Sequence, residues 1–129
     1  MKEQKFINKN HFNVLGDKLE LCSCSPKTGW YRDGYCHFDP NDSGQHTICC
    51  VMSNNFLNYS KSQGNDLVTP APQYSFPGLK PGDRWCVCLE RWKQALLDGL
   101  APQVVLESTN EVVLESIPLE TLKKYRFKD

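Results

Sequence analysis

A proline-rich stretch over residues 64–84, GNDLVTPAPQYSFPGLKPGDR, constrains this chain more than any other feature. Its four prolines, at positions 70, 72, 77 and 81, lack the amide hydrogen that strand and helix interiors require. The stretch therefore predicts a loop of about 20 residues, and a loop of that length within one domain is typically ordered and functional. The alternative interpretation is that it only wraps the sheet and buries its apolar side chains, Leu67, Tyr74, Phe76 and Leu79.

Length and charge further limit the number of domains and the classes of partner that we expect. The 129 residues, 40% of them hydrophobic, are enough for one domain with its own core. Lysine and arginine balance aspartate and glutamate at 15 each, which disfavours nucleic acid or an anionic membrane as a partner. No apolar run approaches the ~20 residues of a spanning helix, and the opening MKEQKFINKNHF lacks the apolar centre of a signal peptide. We therefore expect a cytoplasmic protein with an N-terminal arm over residues 1–12 and a single domain over residues 13–129.

Alternation of side chains predicts the strands. Residues 46–52, HTICCVM, predict a strand with Cys49 on one face and Cys50 on the other. Residues 84–89, RWCVCL, predict a second strand on which Cys86 and Cys88 share a face. The pentapeptide VVLES occurs at residues 104–108 and 112–116 and predicts two further β segments. Residues 12–21, FNVLGDKLEL, are typical of a short strand or an extended arm with a turn.

Three segments have helical signals. Ser53 is a candidate N-cap for a helix over residues 54–62, which ends at Gly64. Residues 90–98 carry an apolar stripe at helical spacing, and residues 118–127 begin with a proline at the first helical position. Strands and helices do not alternate regularly. The sequence therefore predicts an α+β fold, with a small, mainly antiparallel sheet, about three helices on one side and long ordered loops.

Seven cysteines are the chemical feature that stands out, at positions 22, 24, 36, 49, 50, 86 and 88. The number is odd and no export signal is recognisable, so a disulfide framework is disfavoured and we expect free thiols. Buried cysteines most often act as small hydrophobic side chains. Two chemical alternatives stay open, a metal site and a reactive thiol.

A zinc ion requires about four thiolate or imidazole ligands at 2.0–2.3 Å. The pairs Cys22/Cys24 and Cys86/Cys88 are spaced C-x-C, whereas structural zinc sites prefer C-x₂₋₄-C on a turn. The candidate ligands for zinc are Cys22, Cys36, Cys86 and Cys88.

A reactive thiol requires a neighbouring cation, base or helix N-terminus. Cys88 directly precedes the predicted helix at Glu90, and Cys49 lies near His46. Cys49, Cys88 and His46 are therefore the candidate catalytic residues.

Polar and aromatic side chains crowd two loops, over residues 28–37 and 64–84. If these loops meet, they form a cleft that suits a small molecule. The candidate ligand-binding residues are Trp30, Arg32, Asp33, Asn65, Asp66, Tyr74, Phe76 and Arg84. The alternative interpretation is that the aspartates form Asx turns and that the arginines pair with them, which would order the loops without any chemistry.

The string over residues 64–92, GNDLVTPAPQYSFPGLKPGDRWCVCLERW, with NVLG from Asn13, TGWYRDGYC from Thr28 and APQVVLEST from Ala101, resembles the bacterial domain of unknown function 2237 family. The resemblance extends from about Asn13 to Tyr125 and implies an α+β fold. It also implies that His46 and the cysteines other than Cys24 and Cys50 belong to the family pattern. Relatives usually read Thr-His-Glu at residues 109–111, where this chain has Asn110, and often have cysteine at the position of Tyr35.

Three hypotheses follow. The first is a protein that binds a small molecule or a partner in the cleft between the two loops. The second is an enzyme that uses a cysteine thiol or a thiolate-bound zinc. The third is a structural or interaction module that presents Tyr74, Phe76 and Leu79 to another protein.

Overall fold

A computed structural model describes residues 11–128. The predicted N-terminal arm therefore lies almost entirely outside the described residues. None of the described helices is long and apolar enough to cross a lipid bilayer.

The fold is α+β, as predicted, with a three-stranded antiparallel sheet and three α-helices. The strands are β1 (His46–Val51), β2 (Arg84–Cys88) and β3 (Gln103–Val104), and β1 lies between the other two. The helices are α1 (Asn54–Ser62), α2 (Leu89–Leu97) and α3 (Leu119–Lys124). Each predicted helix and both strongly patterned strands are present with ends within a few residues of the predicted ones.

The sheet separates two cores because side chains alternate along β1. Ile48 and Cys50 face the helices and pack with Trp85, Trp92 and other large side chains. Cys49 faces the other way and packs with the half-cystines of the second core, which Val105 and Phe127 cover. The predicted division of β1 into a Cys49 face and a Cys50 face is therefore confirmed.

The proline-rich segment is an ordered loop. Ala71 and Phe76 form a β-bridge around a short 3₁₀ turn, Pro72–Tyr74, and the amide of Leu79 donates to the Leu67 carbonyl at 2.8 Å. Phe76 and Leu79 are buried, whereas Tyr74 is 70% exposed. The interpretation that this loop wraps the sheet and buries its apolar side chains therefore holds for Phe76 and Leu79, holds in part for half-buried Leu67, and fails for Tyr74.

The repeated pentapeptide does not give two strands. Only Gln103–Val104 pairs with β1, and the chain then forms 3₁₀ turns over Leu106–Ser108 and Glu111–Glu115. The cause is the polar dipeptide between the repeats. The Thr109 hydroxyl accepts from the Cys49 amide at 3.1 Å, and the Asn110 side chain caps the second turn by accepting from the Val112 amide. These buried side-chain bonds replace the ladder bonds that a strand would make.

The predicted N-cap of α1 is present, since the Ser53 hydroxyl accepts from the Phe56 amide at 3.1 Å. Replacing Ser53 by Ala should lower the free energy of unfolding by about 1 kcal/mol, because an amide of the first turn loses its partner. Urea unfolding of Ser53→Ala beside Ser53→Asn, which keeps a capping oxygen, measures this. Equal losses in the two variants would show that the cap is not the cause.

Candidate functional site

The candidate site lies where β1 begins and β2 ends. His46 and Cys88 are paired across the two strands, and the pairing is irregular between His46 and Ile48. A methyl group on Gly44 would lie 3.1 Å from His46 Cε1 and 3.3 Å from Cys88 Sγ. The imidazole and the thiol therefore occupy one small neighbourhood, and Gly44 leaves the space between them open. The sequence predicted both residues as catalytic candidates and gave no reason to bring them together.

Asp42 completes this group. Its carboxylate lies 2.8 and 3.0 Å from His46 Nδ1 and also accepts from the His46 backbone amide at 2.8 Å. Asp42 is buried, at 2% exposure, whereas His46 is partly exposed. Contact with the carboxylate at Nδ1 leaves Nε2 as the ring nitrogen that Asp42 does not engage. Sequence reasoning missed Asp42, because the same spacing of aspartate and histidine also occurs at Asp33 and His37 and does not by itself mark a site.

Cys88 is a free thiol at the N-terminus of α2. It is the N-cap residue of that helix, yet its side chain makes no capping hydrogen bond. The sulfur is partly exposed, and the amides of the first turn of a helix have no partner within the helix. The positive end of the helix dipole favours negative charge at this position. The sulfur is therefore engaged in neither a capping hydrogen bond nor a disulfide.

The thiol and the imidazole line a cavity of about 140 Å³, together with Asn65, Trp85, Arg91 and the apolar side chains of Leu67 and Val87. A second cavity of about 270 Å³ shares His46, Leu67 and Trp85 with the first, so the two adjoin. Its remaining lining residues are Arg32, Asp66, Ala71, Tyr74 and Phe76. The two cavities together form a cleft beside the loops over residues 28–37 and 64–84. We call the cavity that Cys88 lines, the more enclosed of the two, the inner end of the cleft, and the other the outer end.

Six of the eight predicted ligand-binding residues lie at this cleft. Asn65 lines the inner cavity, and Arg32, Asp66, Tyr74 and Phe76 line the outer one. Trp30 stacks on the His46 ring with 6.4 Å between centroids. The first loop is held to the sheet by buried Thr28, whose hydroxyl accepts from the Cys86 amide at 2.8 Å.

Asp33 and Arg84, the other two predicted ligand-binding residues, line neither of these cavities. Asp33 pairs with His37 at 3.2 Å. Arg84 directly precedes Trp85 on β2, so the two side chains point to opposite faces of the strand. The Arg84 guanidinium lies 5.4 Å from the Phe127 ring centre on that other face. There it lines a different depression with Glu107 and Arg126.

The expectation of free thiols is wrong for four of the seven cysteines. Cys22 is bonded to Cys49 and Cys36 to Cys86. The physical reason is the register of β1 and β2, which pairs Cys49 with Cys86 and so brings the two bonds side by side. Cys49 is therefore not available as a nucleophile, and the free thiols are Cys24, Cys50 and Cys88. Cys50 is fully buried, and burial raises the pKa of its thiol.

The predicted zinc ligands are brought together only in part. The sulfur atoms of Cys22, Cys36 and Cys49 lie within 4.8 Å of one another, and Cys86 is bonded to one of them. Cys88 is not a member of this cluster, because β2 ends there and its sulfur lies beside His46 instead. A disulfide sulfur is not a thiolate ligand. The four bonded cysteines, at positions 22, 36, 49 and 86, could therefore hold a metal ion only after reduction of both bonds.

Asp66 keeps a negative charge at the outer end of the cleft. A side-chain hydrogen bond with Thr69, together with the amides of Thr69 and Val68, lowers the pKa of Asp66 to about 2. Because the folded value lies below the unfolded one, the stabilisation is present above pH ~4 and is lost as the pH falls through about 2. A carboxyl carbon titration by NMR should therefore find a midpoint near 2 in the native protein, and a midpoint near that of the urea-unfolded chain would contradict the loop geometry.

The fold and the cleft define a class, a small α+β protein with a free thiol next to a histidine–aspartate pair. The chain matches, over residues 12–126, the family described as an uncharacterized protein conserved in bacteria, domain of unknown function 2237. It therefore belongs to that family, as the resemblance of its motifs predicted. No curated protein matches the chain.

Proposed function

We propose that this protein is a thiol enzyme that binds a small acyl compound in the cleft between its two loops and transfers the acyl group to Cys88. The observation that carries the proposal is the convergence of Cys88, His46 and Asp42 around Gly44, at the inner end of a cavity. A nucleophile, a base and a group that orients the base are the three parts of nucleophilic catalysis by a side chain.

In the proposed reaction, His46 Nε2 accepts the proton of the Cys88 thiol while the sulfur attacks the carbonyl carbon of the ligand. The bond from that carbon to the leaving group breaks, and the leaving group takes the proton from the imidazolium. Water then gives a proton to Nε2 and attacks the thioester. The carbon–sulfur bond breaks, the sulfur regains its proton, and a carboxylic acid leaves.

The role of Asp42 in this scheme is to position His46. Its carboxylate, buried and in contact with Nδ1, fixes the ring orientation and stabilises the imidazolium that forms during the reaction. The amides of Glu90 and Arg91, in the first turn of α2, are suited to bind the oxygen that becomes negative when the sulfur attacks.

The second candidate function is ligand binding without a covalent step. It is favoured by the outer cavity, in which Arg32, Asp66 and Tyr74 supply polar groups beside the apolar surfaces of Phe76 and Trp85. The two candidates differ in one respect, whether Cys88 becomes acylated.

Mass spectrometry after reaction with p-nitrophenyl acetate tests the proposal. We expect one acetyl group on Cys88 and nitrophenolate release that Cys88→Ser slows to a small residual rate. Cys24→Ser is the matched control, because Cys24 is an exposed free thiol that does not line the cleft. Acetyl groups on Cys24 or lysines with none on Cys88 would contradict the enzyme proposal and leave ligand binding as the better one.

A further inference from the structure

Building on the proposed function, we infer that the natural ligand of the cleft carries a carboxylate, which Arg91 binds beside the thiol while Arg32 adds a second positive charge in the adjoining cavity. Positively charged side chains line both cavities. Each cavity contributes one guanidinium, and neither pairs with a carboxylate among residues 11–128.

Arg91 lies in the first turn of α2, two residues after the first helical residue Leu89. The helix dipole disfavours a cation at this end, so the position costs stability unless the charge has another use. One nitrogen of the guanidinium donates to the carbonyl of Gln63 at 3.1 Å and lies 3.4 Å from the side-chain oxygen of Gln94. These partners are neutral. They fix the group at the wall of the Cys88 cavity and leave its charge unbalanced.

Arg32 also stands at a position that costs stability. Its backbone has a φ of 57°, in the left-handed region that disfavours residues with a side chain. Its Nε is buried without a hydrogen-bond partner in the described part of the chain. The guanidinium lies 5.2 Å above the Trp85 ring and donates to the Gly29 carbonyl at 2.9 Å. Trp85 belongs to both cavities, so this cation is held next to the path to the thiol.

Residues whose backbone strain or charge placement lowers stability, such as these two arginines, concentrate at functional sites, because selection for function can retain them although selection for stability would not. A guanidinium has a planar set of donors that matches a carboxylate. The negative charge among the residues that line the outer cavity is that of Asp66, whose Oδ1 accepts hydrogen bonds from the backbone amides of Val68 and Thr69. Asp42 lies behind His46 and is paired with it. The anionic group of the ligand should therefore lie toward the inner end, on the side of Arg91.

Alkylation of Cys88 by iodoacetate and by iodoacetamide tests whether a carboxylate is bound beside the thiol. Iodoacetate carries a carboxylate, and iodoacetamide has a neutral amide in the same place. In each reaction the thiolate sulfur bonds to the methylene carbon and iodide leaves. We use the Cys24→Ser protein, in which Cys88 is the free thiol that is not fully buried. The rate with iodoacetate divided by the rate with iodoacetamide should be about tenfold higher for Cys88 than for 2-mercaptoethanol, and this ratio should decrease at high salt.

Arg91→Gln and Arg32→Gln should each bring the ratio closer to that of 2-mercaptoethanol. Lys124→Gln is the matched control, because it removes the same charge from an exposed position on α3. A wild-type ratio equal to that of the small thiol, or one that neither arginine variant lowers, would overturn the carboxylate inference and leave the proposed function standing. If Cys88 reacts with neither reagent, the proposed function is contradicted instead.

A second measurement tests the anion site without the thiol. In a titration with acetate, the Nε–Hε resonances of Arg91 and Arg32 should shift and saturate, whereas acetamide should leave them unchanged. Shifts that fail to saturate, or equal shifts with the two compounds, would overturn the inference even in a protein whose thiol is unreactive.

Discussion

Removing either disulfide should lower the free energy of unfolding by about 4 kcal/mol, because each bond closes a long loop of the unfolded chain. The bonded residues are 27 positions apart for Cys22–Cys49 and 50 apart for Cys36–Cys86. Both bonds fasten a loop to the sheet, since Cys49 is on the central strand β1 and Cys86 on the edge strand β2. A loss of this size is a large share of the ~5–15 kcal/mol that stabilises a typical domain.

Denaturant unfolding of the paired variants Cys22→Ser/Cys49→Ser and Cys36→Ser/Cys86→Ser measures the effect. Replacing both partners avoids an unpaired thiol that could exchange with the other bond. Cys24→Ser is the control and should unfold like the wild-type protein, because Cys24 is exposed and unbonded. Paired variants that unfold within 1 kcal/mol of wild type would show that these bonds do not hold the loops.

Replacing His46 by Gln should slow the acylation of Cys88 by about 100-fold, the lower part of the range for loss of a general base. Glutamine keeps a side chain of similar size and cannot take the thiol proton. The rate is measured with p-nitrophenyl acetate by the appearance of nitrophenolate, and the acylated residue is checked by mass spectrometry.

His37→Gln is the matched control for this prediction. His37 also faces an aspartate, Asp33, at 3.2 Å, but it does not line the cleft. Its replacement should leave the rate within about twofold of wild type. A similar loss in both variants would mean that the effect comes from a general disturbance of the loops rather than from proton transfer by His46.

Local features of the fold could be predicted because their causes lie in neighbouring residues. The N-cap at Ser53 needs only one hydroxyl and the amide three positions later, and both are present where predicted. The two faces of β1 follow from strict alternation, which a strand of six residues preserves.

Two of the wrong predictions, the second VVLES strand and the free thiols, failed because residues distant in sequence decide the outcome. The VVLES repeats look alike as strings, but Thr109 and Asn110 between them bind β1, and these contacts turn the chain. The pairing of Cys36 with Cys86 depends on how a loop crosses the sheet, 50 residues away in sequence. The compartment argument favoured free thiols, and it says nothing about which sulfurs the fold brings together.

The candidate site was predictable as a set of residue types and not as an arrangement. Cys88 and His46 were both singled out, but for separate reasons and with Cys49 as an equal candidate. The strand register puts His46 opposite Cys88 and Cys49 opposite Cys86. Asp42 depended on a turn with Gly44 and with Gln45 at a φ of 50°, a geometry that the sequence did not reveal.

The central claim is that Cys88 and His46 act as one unit, and a double-mutant cycle tests it most directly. Nitrophenolate release would be measured for the wild type, Cys88→Ser, His46→Gln and the double variant, with circular dichroism to confirm that each is folded. Groups that act in one step are strongly non-additive, so the double variant should be no slower than Cys88→Ser alone. If the two losses instead multiply, the thiol and the imidazole act independently and the proposed mechanism is contradicted.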